Sequence, residues 1–340
     1  MKEKGSHEKF SVEDIRPASL TAKQAEKFSS DISRLLRRKS EFVSVACPAC
    51  QTLRSRPAFR KQDLQFVECE ECETVYMNPR PTLDILAEYY STSENYEYWN
   101  TVLFPATEEA RREKIFRPRV SRILEICRRN SVGTGCLVEV GAGYGIFCEE
   151  IGKAGVFQRV IAIEPTPSLA ERCRAKGLEV IEKPVEKVRL DAIADVVASF
   201  EVIEHLFSPM EFIRSCHEML VPNGMLVLTC PNIKGFDMMV LRERSSAVDV
   251  EHMNLFHPGS LGSLVGSLGF EVLEMQTPGQ LDVELVRNSV LAGEFDIDGH
   301  PFLKRVLFDD WERIGNNFQK FLSENLLSSH MWIVAKKRQK

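Results

Sequence analysis

Four cysteines, three glycines and two carboxylates carry the spacing that chemistry needs. Cys47-x2-Cys50 and Cys69-x2-Cys72 are separated by 18 residues. Each knuckle offers two thiolates, and a linker of about 15–20 residues lets two hairpins close a tetrahedral Zn–S4 site. Because all four ligands come from the protein, no position remains for water, and the site reads as structural zinc. Iron in the same ligand set and a redox pair are the other readings of the quartet. Further on, the apolar run 137–140 leads into Gly141-x-Gly143-x-Gly145, and a second apolar run, 160–163, ends in Glu164. A strand that runs into alternate glycines lets a ligand lie against bare backbone, and an acid about 20 residues on can grip a ribose diol. This describes a nucleoside-cofactor site. The spacing is not the G-x-G-x-x-G of a pyrophosphate site, and Glu139, two places before the first glycine, suits a cationic ligand better than a phosphate.

The elements that position these residues follow from periodicity. Strands at 136–140, 159–163, 179–181, 194–200, 224–230, 270–275 and 331–335 alternate with helical stretches, which implies an α/β fold with a mostly parallel sheet covered by helices on both faces. Ser208-Pro209-Met210-Glu211 opens one helix as a capping box with proline at its first position. The chain divides into a tail and amphipathic helix (1–40, unstructured to about residue 20), a zinc-binding module (41–80), a helical and aromatic linker and lid (81–130), and a cofactor-binding domain (131–340) with a helical insertion at about 276–327. Within the linker, a helix from about Thr107 is expected to break and restart at Pro118.

The composition is ordinary for a globular chain of 340 residues, 44% apolar and 27% charged. A net charge of −5 gives no electrostatic reason to expect nucleic acid. No apolar run approaches the roughly 18 residues of a membrane span, and the amino terminus lacks an apolar signal core, so a cytoplasmic location is expected. The other six cysteines, Cys127, Cys136, Cys148, Cys173, Cys216 and Cys230, lie singly in apolar segments and read as packing residues.

From about Gly135 to Glu274 the chain resembles class I S-adenosylmethionine (SAM)-dependent methyltransferases of the ubiquinone-biosynthesis-like group. The strand at 194–200 is followed by an E-V-x-E-H-x-x-x-P segment, here Glu201 to Pro209. The cysteine module with Asn78-Pro79-Arg80-Pro81 and the tyrosines after it resembles the zinc-binding front end of bacterial methyltransferases acting on sugars and other small metabolites. The resemblance implies a Rossmann-like seven-stranded sheet with a small zinc-ribbon-like module. It also implies cofactor contacts from Glu139, Gly141, Gly143, Gly145, Glu164, Phe200 and Glu201, with the glycines cradling the methionine and ribose part. The segment from Glu182 to Glu186 would meet adenine through backbone.

Three histidines are candidate general bases, and for a hydroxyl acceptor His205 is the expected one, with His252 and His257 as its alternatives. His205 follows the strand at 194–200 on the side where the reacting methyl should lie, and His252 and His257 sit in the loop that in this family shapes the acceptor pocket. Each could equally orient its loop. Tyr96, Tyr98 and Trp99 are read either as a lid over the cofactor or as core. The expected enzyme transfers a methyl group to a small, carbohydrate-derived acceptor, at oxygen or carbon. Because sugar C-methyltransferases with such a front end carry a further carboxyl-terminal domain, and the last strand lies near Lys340, O-methylation is at least as open. Competing readings are an NAD-dependent sugar oxidoreductase or epimerase, which the glycine spacing and the lack of a Tyr-x-x-x-Lys pair oppose, and a non-catalytic cofactor-binding interaction protein.

Overall fold

The computed structural model describes residues 10–338. Eleven strands form two sheets: β1 (Ser55–Lys61), β2 (Leu64–Cys69), β3 (Val75–Met77), β4 (Cys136–Val140), β5 (Arg159–Ile163), β6 (Glu179–Ile181), β7 (Ala194–Phe200), β8 (Leu220–Pro231), β9 (Asn254–Leu255), β10 (Phe270–Gln276) and β11 (His330–Lys337). Seven of them make a mixed sheet in the order β10-β11-β8-β7-β4-β5-β6. The strands β8, β7, β4, β5 and β6 run parallel, and β11 is antiparallel to both its neighbours. All five residues of β4 are buried, the pattern of a central strand covered on both faces. From β4 the chain winds outward to β6 and returns to β7 on the opposite side of β4, which opens a crevice at the carboxyl ends of β4 and β7.

The second sheet is antiparallel, in the order β1-β2-β3-β9. Its first three strands carry the cysteine module. Its fourth, β9, comes from the loop at 249–258, which the sequence reading assigned to the acceptor pocket alone. The two sheets share one apolar core, in which Cys47, Tyr76 and Phe256 join Val138, Val140, Leu226 and Leu228.

Two expectations are corrected. The tail expected to about residue 20 has structure from Ser11 onward: Val12–Ile15 is a helical turn, the Val12 amide donates to Glu284, Arg16 donates to Ser246, and the helix Ala18–Leu36 follows. Residues 1–9 of that tail lie outside the described residues. Nor does the helix break at Pro118. Phe104–Arg111, a π turn at Arg112–Phe116 and Arg117–Arg129 run on continuously, the wider turn absorbing the amide donor that proline lacks. Between β10 and β11 lie the helices Asp282–Leu291, Pro301–Lys304 and Trp311–Glu324. Among the described residues, no helix is long and apolar enough to cross a membrane.

Candidate active site

At the end of β4 the backbone turns through Gly141, Gly143 and Gly145, all at positive φ (77°, 54° and 68°). A Cβ at Gly141 would meet Val202 at 2.5 Å and one at Gly145 would meet Leu178 at 2.6 Å, whereas nothing lies within 4 Å of that position on Gly143. Two of the glycines are thus required by packing, and the middle one faces open space. Glu164, buried at the end of β5, accepts from the amides of Gly143 (2.8 Å) and Thr166 (2.8 Å). The Thr166 side chain also reaches this carboxylate, which still has acceptor capacity for a further donor. Burial raises its pKa against these bonds.

Glu139 is buried within β4, where it accepts from the Cys148 thiol at 3.0 Å. Burial pushes its pKa up to about 8. Neither Glu139 nor Glu164 has a cation within ion-pair distance among the described residues. Two buried carboxylates beside a bare glycine turn fit a ligand that brings its own positive charge and hydroxyl donors. Phe200 closes the floor between Phe147 (4.9 Å between centroids) and Trp332 (5.9 Å), with the Arg119 guanidinium 4.5 Å from its centre. Glu201 follows at φ 55°, and its carboxylate accepts from Thr229 (2.5 Å) and His330 (2.8 Å) with Arg119 at 3.5 Å. His330, Arg119 and Thr229 outweigh its partial desolvation and hold it well below the usual carboxylate range.

Over the glycine turn lie Tyr96, Trp99 and Phe104, packed with Tyr144, Ile146 and Leu169. Phe104 stacks on Tyr144 at 3.7 Å, and the Tyr144 hydroxyl donates to the Asn100 carbonyl. Tyr98 lies elsewhere, beneath Lys27 of the helix Ala18–Leu36.

The structure brings His205 and His252 together and leaves His257 apart. The first two rings meet edge to face with centroids 4.6 Å apart. Nδ1 of His252 is anchored on the Ala247 carbonyl at 2.7 Å, which leaves Nε2 with its lone pair. Asp249 and Glu204 raise the pKa of His252 although burial opposes them. By contrast, burial and the neighbouring His252 push His205 down to about 3. Glu204, 1% exposed, has no hydrogen-bond partner on either oxygen among the described residues and stands 4.0 Å from His205, its pKa pushed to about 8 by burial and by Glu201. Glu204, His205 and His252 present atoms within 4.8 Å of one another that could also hold a divalent ion. His257 caps the helix Pro258–Ser267, accepting from the Gly259 amide through Nδ1 and donating from Nε2 to the Cys72 carbonyl at 2.9 Å.

The four cysteine sulfurs lie within 4.8 Å of one another, with Cys47–Cys72 and Cys50–Cys69 at 3.5 Å. Zn–S bonds of about 2.3 Å would put tetrahedral sulfurs about 3.8 Å apart, so the set fits. The two knuckles repeat one local design, Cys-x-x-Cys-x-Thr. In each the residue after the second cysteine, Gln51 or Glu73, is left-handed and donates to the first cysteine's carbonyl, and the first cysteine's amide donates to the threonine carbonyl.

Sequence reasoning missed the roles of Arg119, Thr229, His330, Arg80 and Asn254. Arg80 stood in the Asn-Pro-Arg-Pro motif and Asn254 in the loop at 249–258, but neither was singled out. The others approach the site from positions 119 to 330, and no local spacing marks them.

A glycine turn at a doubly wound switch point, with one acid within β4 and another at the end of β5, is the arrangement of proteins that bind a nucleoside cofactor without phosphate. Residues 108–275 match the family model described as a methyltransferase domain. Over 139 residues the chain is 30% identical to a probable S-adenosylmethionine-dependent methyltransferase of Mycolicibacterium smegmatis, a match covering 40% of this chain and 52% of the relative. Over 121 residues it is 31% identical to the mitochondrial ubiquinone biosynthesis O-methyltransferase of Schizosaccharomyces pombe, covering 33% and 43%. The chain thus spans about half the length of the curated relatives it matches. A SAM-dependent methyltransferase structure from Archaeoglobus fulgidus matches with a TM-score of 0.46 at 21% identity, over 66% of this chain and 94% of that one.

Proposed function

We propose that the protein transfers a methyl group from SAM to an oxygen of a small, carbohydrate-derived acceptor, with zinc held by Cys47, Cys50, Cys69 and Cys72 in a structural role. The observation that carries the reading is the pair of buried, cation-free carboxylates Glu139 and Glu164 around an open Gly143. When bound, the cofactor supplies a methyl already activated on a sulfonium. Glu164 would accept from the ribose hydroxyls, Glu139 would offset the charge of the methionyl ammonium, and Phe200 would help hold the methionyl chain. Glu201, held by His330 and Thr229, fixes the left-handed turn that leads to Glu204 and His205.

With an activated methyl, the protein mainly aligns the acceptor and takes its proton. Within the histidine pair we assign the proton to His252, whose free Nε2 and flanking acids make it the stronger base, and place His205 beside it as a neutral wall. His257 belongs to the cysteine module. The acid-rich surroundings of the pair, Glu204, Asp249 and Glu251, suit a hydroxyl-rich acceptor that donates hydrogen bonds. The test is a SAM-dependent screen of nucleotide sugars and small glycans with mass detection of a 14 Da gain, the mass of one CH2. Cofactor binding without methylation of any such compound, alongside turnover on a phenol or an amine, would overturn the acceptor assignment.

A further inference from the structure

The turn that carries Glu204 and His205 is held by two side chains, one from the end of the cysteine module and one from β9, the strand that joins the module's sheet. Asn254, on β9 and 1% exposed, donates through Nδ2 to the carbonyls of Leu206 (2.7 Å), Glu204 (3.2 Å) and Ile203 (3.3 Å). Its Oδ1 accepts from Nη1 of Arg80 at 3.0 Å. Arg80 ends the cysteine module and is itself 1% exposed. Its remaining bonds go to the carbonyls of Met77 (3.2 Å), Phe207 (3.3 Å) and Met253 (3.5 Å). No carboxylate lies within ion-pair distance of it among the described residues. A buried guanidinium without a counter-charge is costly, and here every bond it makes fixes backbone or Asn254.

We propose that Arg80 and Asn254 are positioning residues: a brace through which the cysteine module sets the geometry of the Glu204–His205 turn. Together the two side chains hold four of the five carbonyls from Ile203 to Phe207, all but that of His205. The Arg80 charge polarises the Asn254 amide and so strengthens its donation to the turn. β9 pairs Asn254 with Tyr76 and Leu255 with Val75, so the brace is anchored in the module's own sheet and shifts with it. The module is then a working wall of the acceptor side as well as a fold stabiliser. The catalytic importance of this turn rests on the methyltransferase reading above, but the brace itself can be tested without turnover.

The experiment is amide hydrogen exchange, read by mass spectrometry on the full-length protein, for wild type, Asn254→Ala, Asn254→Asp and Arg80→Lys. Local opening of this kind is what exchange measures. Asn254→Asp keeps an acceptor for Arg80 while losing both donors, and it decides the matter if Asn254→Ala fails to fold. The expected result is exchange at least about 10-fold faster in peptides covering 201–208, little change in those covering 64–77 and 136–150, unchanged metal content, and S-adenosylhomocysteine affinity within about 2-fold. On an acceptor found by the screen, kcat falls toward the 10²-fold loss that a misplacement of about 1 Å can cause, while KM for SAM holds. Unchanged exchange at 201–208, or equal loosening of 64–77 in the Asn254→Asp protein, overturns the proposal.

Discussion

The glycine-turn crevice and the proposed acceptor wall are built in opposite ways. In the crevice, β4, the glycine turn and the end of β5 follow one another within residues 136–164, and the backbone itself forms the surface. In the acceptor wall, side chains from the helices at 83–98, the turn at 203–207, the loop at 249–258 and the strand at 330 converge. Tyr89 and Asn95 both reach Glu251, Arg80 reaches Asn254, and His330 reaches Glu201. A site made of consecutive backbone admits few substitutions, because three positive-φ glycines are the cheapest way to make that turn. A site made of distant side chains can be rebuilt one contact at a time, which is how one fold can serve different acceptors.

The largest effect should come from the metal quartet. Zinc contributes on the order of 10 kcal/mol to the folding of small zinc-dependent peptides. Cys69→Ser should therefore release one equivalent of zinc per chain, measured by elemental analysis, and lower the thermal midpoint. Because β9 and Phe256 share the module's sheet and core, the loss should reach the acceptor wall before the crevice. Metal-free protein with four freely reactive thiols in a fully stable fold would break the comparison.

Within the wall, removing a positioned base costs about 10²–10⁴ in rate. His252→Ala should lose this much turnover at unchanged SAM affinity, whereas His257→Ala should act through stability. The wild-type rate should fall as pH drops through a midpoint above 6.5, since the raised pKa of His252 makes its neutral form available only above that value. A midpoint near 3 would transfer the role to His205, whose pKa lies there.

In the crevice, Glu164→Ala leaves a diol without its charge-assisted partner, a loss on the order of 1.5–3 kcal/mol, or roughly 10-fold to 150-fold in affinity. The smallest effect concerns Glu139. Its folded pKa of about 8 lies above the unfolded value, so its contribution to the stability of the ligand-free protein is complete below about pH 4 and is lost as pH rises through 8. Glu139→Gln should flatten that part of the melting profile against pH; an unchanged slope would mean another group titrates there.

The same contrast explains what was legible in the sequence. Glu139, Gly141, Gly143, Gly145 and Glu164 could be read because their spacing is set by one strand, one turn and one crossover. The quartet could be read because a knuckle is a local structure. The aromatic segment was only half legible, since Tyr96 and Tyr98 are neighbours in sequence yet face Tyr144 and Lys27 respectively. Of the three histidines, sequence gave no means of separating His257 from His252: they lie five positions apart, and β9 between them directs one to the cysteine module and the other to His205. Arg80 and Asn254 have meaning only through a hydrogen bond spanning 174 positions, which no periodicity records.

The central claim is that the crevice binds SAM, and calorimetric titration of the wild-type protein with S-adenosylhomocysteine and, separately, NAD tests it most directly. Stoichiometric binding of S-adenosylhomocysteine, weakened by Glu164→Ala, is expected, with no measurable heat from NAD. Tight binding of NAD with none of S-adenosylhomocysteine would contradict it.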